Sequence, residues 1–184
     1  MTAIAGLVDD TGRVWIGGDS AGVAGYSRVI RADAKVFTNG PYLMGFAGSF
    51  RVAQLLRYAF EAPVPPDEPG RLDAFMVRTF IDAARDCLTA GGVNEKRYEV
   101  EEISSAFLVG VRGRLFCIEG DYQVGLPAKG YEAVGCGDDL ARGSLFTSSR
   151  LTWHPRARIR RALEAASAFS AGVAPPYVIK SVAP

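Results

Sequence analysis

Apolar residues along this chain fall in short strand-length runs that alternate with helical stripes. Residues 2–8 and 14–18 are apolar and flank the polar, glycine-ended Asp9-Asp10-Thr11-Gly12, the pattern of a β-hairpin. Mixed alternation over 26–37 predicts another strand with Lys35 within it or at its end. The apolar run 42–48 finishes in Gly48, and Ser49 opens a helix on which Val52, Leu55, Leu56 and Ala59 share one face. Pro63, Pro65, Pro66 and Pro69 remove backbone donors, so 62–70 is expected to be an exposed loop. A second stripe, Leu72, Phe75, Met76, Thr79, Phe80, Ala83, Ala84 and Cys87, predicts a helix over 72–88 that Gly91-Gly92 ends.

The polar run 94–102 reads as a loop. Residues 105–111 and 114–119 then alternate around Arg112-Gly113, a second hairpin, with short strands expected near Gln123 and over 131–134. Helices are expected from Asp138 and from Pro155, the latter burying Ile159, Leu163 and Ala166, before a final strand over 177–180. Strands, two helices, strands, two helices and a strand make an α+β order, not βαβ alternation.

Bulk properties narrow the field. A chain of 184 residues at 48% hydrophobic content suits one domain, 1–184, with a proper core. Net charge of +1 gives no basic field for nucleic acid, and Arg156, Arg158, Arg160 and Arg161 read as one solvated helix face. No stretch approaches the ~20 apolar residues of a membrane span and none has the form of a signal peptide, so a cytoplasmic protein is expected. Cys87, Cys117 and Cys136 are odd in number and lack metal-type spacing, which fits reduced thiols without a metal; no cofactor is expected.

Candidate chemistry concentrates at the start. Thr2 directly follows the initiator methionine; once exposed, it carries a hydroxyl and an α-amine on adjacent carbons. A threonine hydroxyl needs an adjacent base, and an α-amine with a reference pKa near ~7.7–8 is such a base. Met-Thr alone is an ordinary start, so the weight falls on its partners. The first hairpin carries Asp19 back beside Thr2, where Asp19 would hold Lys35 charged and aimed, and an ammonium there favours the alkoxide. Gly48 and Ser49, where strand passes to helix, offer backbone amides to an oxyanion.

A rival motif is Gly18-Asp19-Ser20-Ala21-Gly22, which matches the G-x-S-x-G elbow of esterases, with His154 as a nominal partner. An elbow needs a helix directly after the serine, and Gly22, Gly25 and the β-branched run beyond them disfavour one. Trp153-His154-Pro155 just before a helix suits a capping or surface histidine.

Thr2, Gly18-Asp19-Ser20, Lys35-Val36 and Gly45-Phe46-Ala47-Gly48 resemble, in order and spacing, the N-terminal half of proteasome β-type peptidases, in particular the HslV type among the N-terminal nucleophile hydrolases. The resemblance continues through Phe107-Leu108-Val109-Gly110, Ala133-Val134-Gly135-Cys136-Gly137 and Phe169-Ser170-Ala171-Gly172. It implies a four-layer αββα sandwich, two antiparallel sheets between two helical layers. It further implies peptide or amide hydrolysis through an acyl-enzyme on Thr2 after loss of Met1, with Lys35, Asp19 and Gly48 assisting and Cys136 and Ser170 beside the amine. Gly22, Phe37, Phe46, Ser49 and Phe50 are the substrate-side candidates. The implied substrate is a peptide or unfolded protein, and the implied partners are copies of the chain in a ring and an ATP-dependent unfoldase.

Cys136 stands where many members have serine, and Ser167 where proteasome β subunits have aspartate. Two other functions therefore remain open at this stage: an inactive ring-forming subunit, and an amidase acting on a small amide.

Overall fold

A computed structural model of the chain describes residues 1–97 and 100–184. The first hairpin forms as expected: β1 (Ile4–Val8) pairs with β2 (Val14–Gly18) across a turn in which Asp9 accepts from the amides of Thr11 and Arg13. The chain then makes a separate small hairpin, β3 (Ala21–Ala24) with β4 (Ser27–Ile30), that joins neither large sheet; the single strand expected over 26–37 is thus split into β4 and β5 (Val36–Asn39). Gly25, at φ 56°, lets the chain reverse between β3 and β4.

Strand β6 (Tyr42–Gly48) leads into α1 (Phe50–Tyr58), whose N-cap is Ser49, its hydroxyl accepting from the Arg51 amide. Val52, Ala53, Leu55 and Leu56 are buried, whereas Ala59 is the exposed C-cap and not part of the buried face. The proline-rich stretch runs without regular structure to a short 3₁₀ turn, Pro69–Arg71.

The second helical stretch is α2 (Leu72–Phe75), a π-helical segment Met76–Phe80 and α3 (Ile81–Ala90), closed by Gly91 and by Gly92 at φ 69°. The wider π turn resets the helical phase, so Leu72, Met76, Phe80, Ile81, Ala84 and Leu88 are buried while Thr79 of the expected stripe is exposed.

Residues 94–102 are not all loop. They contain β7 (Glu95–Arg97) paired with β8 (Val100–Glu102); residues 98 and 99 of that segment lie outside the described residues. Strands β9 (Ser105–Val111) and β10 (Arg114–Ile118) are joined by Arg112 and Gly113, both at positive φ, the two-residue turn whose twist suits a hairpin. After β11 (Val124–Gly125) and β12 (Tyr131–Val134) come α4 (Asp138–Ser148), α5 (Pro155–Phe169) and β13 (Val178–Val182).

Two antiparallel sheets result, ordered β12-β1-β2-β13 and β11-β10-β9-β6-β5. One apolar cluster joins them through Ile4, Ile16, Val36, Leu43 and Leu108. Gly45 keeps this contact close, since a Cβ there would stand 2.7 Å from methyls of Ile4 and Ile16. A second cluster packs α4 and α5 on the first sheet through Leu145, Ile159 and Leu163, and a third packs α1 to α3 on the second through Leu56, Phe80 and Phe116.

Of the α5 arginines, Arg156, Arg160 and Arg161 are exposed as expected, and Arg158 alone is half-buried. Arg158 reaches back toward the Leu145 carbonyl and the Ser148 hydroxyl, and burial pulls its pKa down; Arg156 donates to the Ile179 carbonyl, while Arg161 pairs with Glu164. Among the described residues no helix is long and apolar enough to cross a membrane.

Candidate functional site

The first hairpin sets the site by register. Ile4 pairs with Gly18, so the next residue, Asp19, lies level with Ala3, and its amide donates to the Ala3 carbonyl at 3.3 Å. Asp19 is buried at 1% exposure, and both of its oxygens are occupied. Oδ1 accepts from the Ala3 amide at 3.1 Å and from Lys35 Nζ at 2.8 Å; Oδ2 accepts from the amides of Ala21 at 2.8 Å and Ala174 at 3.3 Å.

Lys35 sits immediately before β5, its carbonyl accepting from the Phe46 amide. Its ammonium, also 1% exposed, donates to Thr2 Oγ1 at 2.8 Å. Burial pushes the Lys35 pKa down, and the hydrogen bond and charge of Asp19 pull part of that shift back. Asp19, Lys35 and the Thr2 hydroxyl thus form one chain of contacts shielded from water, where each charge-assisted bond is stronger than at the surface.

On its other side Thr2 meets the turn after β12. Its amide nitrogen donates to Cys136 Sγ at 3.2 Å, its carbonyl accepts from the Gly137 amide at 3.3 Å, and Cys136 Sγ stands 3.3 Å from Ser170 Oγ. Gly135, at φ 103°, permits this approach, since a Cβ there would lie 2.3 Å from the Thr2 carbonyl oxygen. Met1 is half exposed, and its carbonyl accepts from Thr2 Oγ1 at 2.5 Å. Ser167 donates its hydroxyl to the Val173 carbonyl at 3.2 Å.

A cleft of about 430 Å³ opens here, lined by Met1, Thr2, Gly48, Ser105, Gly135 and Cys136 among others. Gly48 has φ 123°, and a Cβ on it would meet the Ser104 carbonyl oxygen at 2.3 Å, so a side chain is excluded. The Ser49 amide donates to Ser105 Oγ at 2.9 Å, and the Ser49 hydroxyl is spent on capping α1. Ser105 was not anticipated from the sequence; it reads there as the start of an ordinary strand.

The substrate-side candidates separate. Phe46 and Phe50 meet edge to face at 5.3 Å and line a smaller cavity next to the site. Phe37 lies in the core between the second sheet and its helices, with Arg57 over its ring, and Gly22 lies within β3 against the Arg31 side chain; neither lines the Thr2 cleft. Ser20 is followed by strand β3, not a helix, and its hydroxyl donates to the Pro176 carbonyl, so no esterase elbow forms. His154 caps α5, accepting from the Arg156 amide. Among the described residues no cluster of ligating side chains could hold a metal ion.

Comparison with protein-family models and with curated proteins gives no match. Solved structures match along the whole chain. Thiobacillus denitrificans BPH in complex with epoxomicin superposes with TM-score 0.81 at 20% identity, covering 99% of this chain and 98% of that one. HslV from Trypanosoma brucei gives 0.73 at 18%, covering 100% of each chain. An Anbu (Gly-1) mutant from Hyphomicrobium sp. strain MC1 gives 0.67 at 14%, covering 100% of this chain and 82% of that one. The chain therefore has the HslV-like, proteasome-type fold that its sequence motifs resemble.

Proposed function

We propose that the protein is an N-terminal threonine hydrolase that cleaves peptide bonds once Met1 is removed. The observation that carries this reading is the buried Lys35 ammonium, bonded at 2.8 Å to both Thr2 Oγ1 and Asp19 Oδ1. A lysine that is merely structural has no use for a threonine hydroxyl at the floor of a cleft. Loss of Met1 turns the Thr2 amide nitrogen into an α-amine on the carbon next to the hydroxyl-bearing one and frees Oγ1 from the Met1 carbonyl.

Thr2 Oγ1 then attacks the scissile carbonyl and its proton passes to the α-amine, directly or through a water. Lys35 stabilises the forming alkoxide and Asp19 holds Lys35 in place. The Gly48 amide faces the oxyanion, an interaction of about 3 kcal/mol in hydrolases of this kind. The amine returns the proton to the leaving nitrogen, and water hydrolyses the ester left on Thr2. The threonine methyl restricts χ1 and keeps Oγ1 in fewer orientations. Cys136 and Ser170 support the amine from the side opposite Lys35.

The three apolar clusters support a four-layer αββα order within one domain, and the likeness to HslV supports a closed ring of copies. Sedimentation at working concentration is expected to give a species several times 19.7 kDa; a 19.7 kDa species alone contradicts the ring. An ATP-dependent unfoldase as partner belongs to the same proposal, as does a cytoplasmic location.

Cys136→Ser tests the assignment of roles. A hydroxyl is a better hydrogen-bond partner for the amine than a thiol, so turnover is expected to persist or rise. Abolition by Cys136→Ser, with Thr2→Ala leaving turnover intact, identifies a cysteine hydrolase instead.

A further inference from the structure

The smaller cavity, about 130 Å³, is of side-chain size and is walled by Asp33, Phe46, Phe50, Ala53, Arg57 and Tyr58, with Ala34 and Gln54 at its edge. It adjoins the Thr2 site through Phe50, whose ring centroid is 5.9 Å from the same Lys35 Nζ that bonds Thr2.

Asp33 and Arg57 are the charged residues of the wall, and they are engaged differently. Asp33 is held by Arg31 through two hydrogen bonds of 2.7 and 2.6 Å, and Arg31 also lies 3.9 Å over the Phe50 ring. That pair is neutral as a unit; the hydrogen bonds from Arg31, together with the charges of Arg31 and Arg57, hold the Asp33 carboxyl below its usual range. Arg57, in the last turn of α1, stacks 4.6 Å over Phe37 and spends one N–H on the Ala34 carbonyl at 2.8 Å. Among the described residues no carboxylate forms a close ion pair with it. A planar guanidinium fixed by stacking and by one hydrogen bond keeps donors in a rigid fork that matches a carboxylate.

We propose that Arg57 makes this cavity selective for an acidic side chain, so that the protein cleaves preferentially after glutamate or aspartate. Phe46, Phe50 and Ala53 pack the methylenes of the incoming side chain, and Arg57 takes its carboxylate. A lysine there meets the Arg57 guanidinium, while Asp33 is already held by Arg31.

This inference rests on the hydrolase reading, and one experiment separates their failures. Matched fluorogenic peptides with glutamate, leucine or lysine before the scissile bond are assayed with the Thr2-initiated protein, Arg57→Gln and Arg57→Glu. In the wild type the glutamyl peptide is expected to exceed the leucyl one in kcat/KM by about five- to ten-fold. Arg57→Gln keeps a donor for Ala34 and is expected to lose that ratio. Arg57→Glu is expected to turn the preference toward lysine, a reversal that general loss of fold cannot produce. Cleavage of the panel with the leucyl peptide preferred, or a ratio unmoved by both substitutions, overturns the role of Arg57 alone. No cleavage of any peptide overturns the hydrolase reading and this inference with it.

Discussion

Thr2→Ala is expected to lower peptide hydrolysis by roughly 10⁴- to 10⁶-fold, the range seen when the nucleophile or its base is taken from a hydrolase. The fold should survive. Thr2 precedes β1, and its packing rests on backbone contacts that alanine retains: the carbonyl bonded to the Gly137 amide and the nitrogen beside Cys136. Thr2→Ser keeps Oγ1 within reach of Lys35 and loses only the methyl that restricts it, so part of the activity should remain. Unchanged circular dichroism with lost turnover for the alanine variant, and intermediate turnover for serine, is the expected pattern.

Lys35→Ala has the second large effect, and it is twofold. Activity is expected to fall to the level of Thr2→Ala, because the alkoxide loses its only cationic partner described at hydrogen-bond distance. Stability is also expected to fall, by about 3 kcal/mol, the lower end for a buried pair broken on one side. The lower end applies because Asp19 keeps three backbone amides as donors. Urea unfolding of the wild type and of Lys35→Ala measures this difference, and a wild-type midpoint in the variant contradicts it.

The same lysine gives a pH signature. Burial holds its pKa below the ordinary 10.5, so the unfolded chain takes up this proton first as pH falls from above 10.5. Its contribution to stability therefore declines as pH falls from 10.5 toward the folded pKa and is constant below it. Turnover follows the opposite sense: it needs the ammonium, and its alkaline limb is expected to fall at a pH below 10.5.

The parts of this site that were legible in the sequence are those fixed locally. A glycine-ended turn between two apolar runs determines the β1–β2 register, and that register alone places Asp19 beside Ala3 and so near Thr2. Ser49 as a cap and Gly48 before it follow from strand passing to helix within a few residues. Contacts made across long separations were not legible. Ser105 meets the Ser49 amide 56 residues away, and nothing in its own neighbourhood marks it for that role.

Phe37 shows a different limit. Alternation along β5 turns Val36 between the sheets and Phe37 toward the helices, and an aromatic two residues from Lys35 in sequence gives no sign of which side it takes. The helical stripe over 72–88 failed at Thr79 for a physical reason, since a π turn adds a residue that a fixed period does not include. Arg57 was hidden likewise, because on α1 it reads as an exposed polar position and only the packed structure sets it over Phe37 beside the cavity.

The central claim is that the amine and hydroxyl of a freed Thr2 act together, and intact mass measured beside hydrolysis on the same preparations tests it most directly. Protein lacking Met1 is expected to hydrolyse peptides, with activity rising in proportion to the fraction that begins at Thr2. Full activity in a preparation that quantitatively retains Met1 would contradict the account.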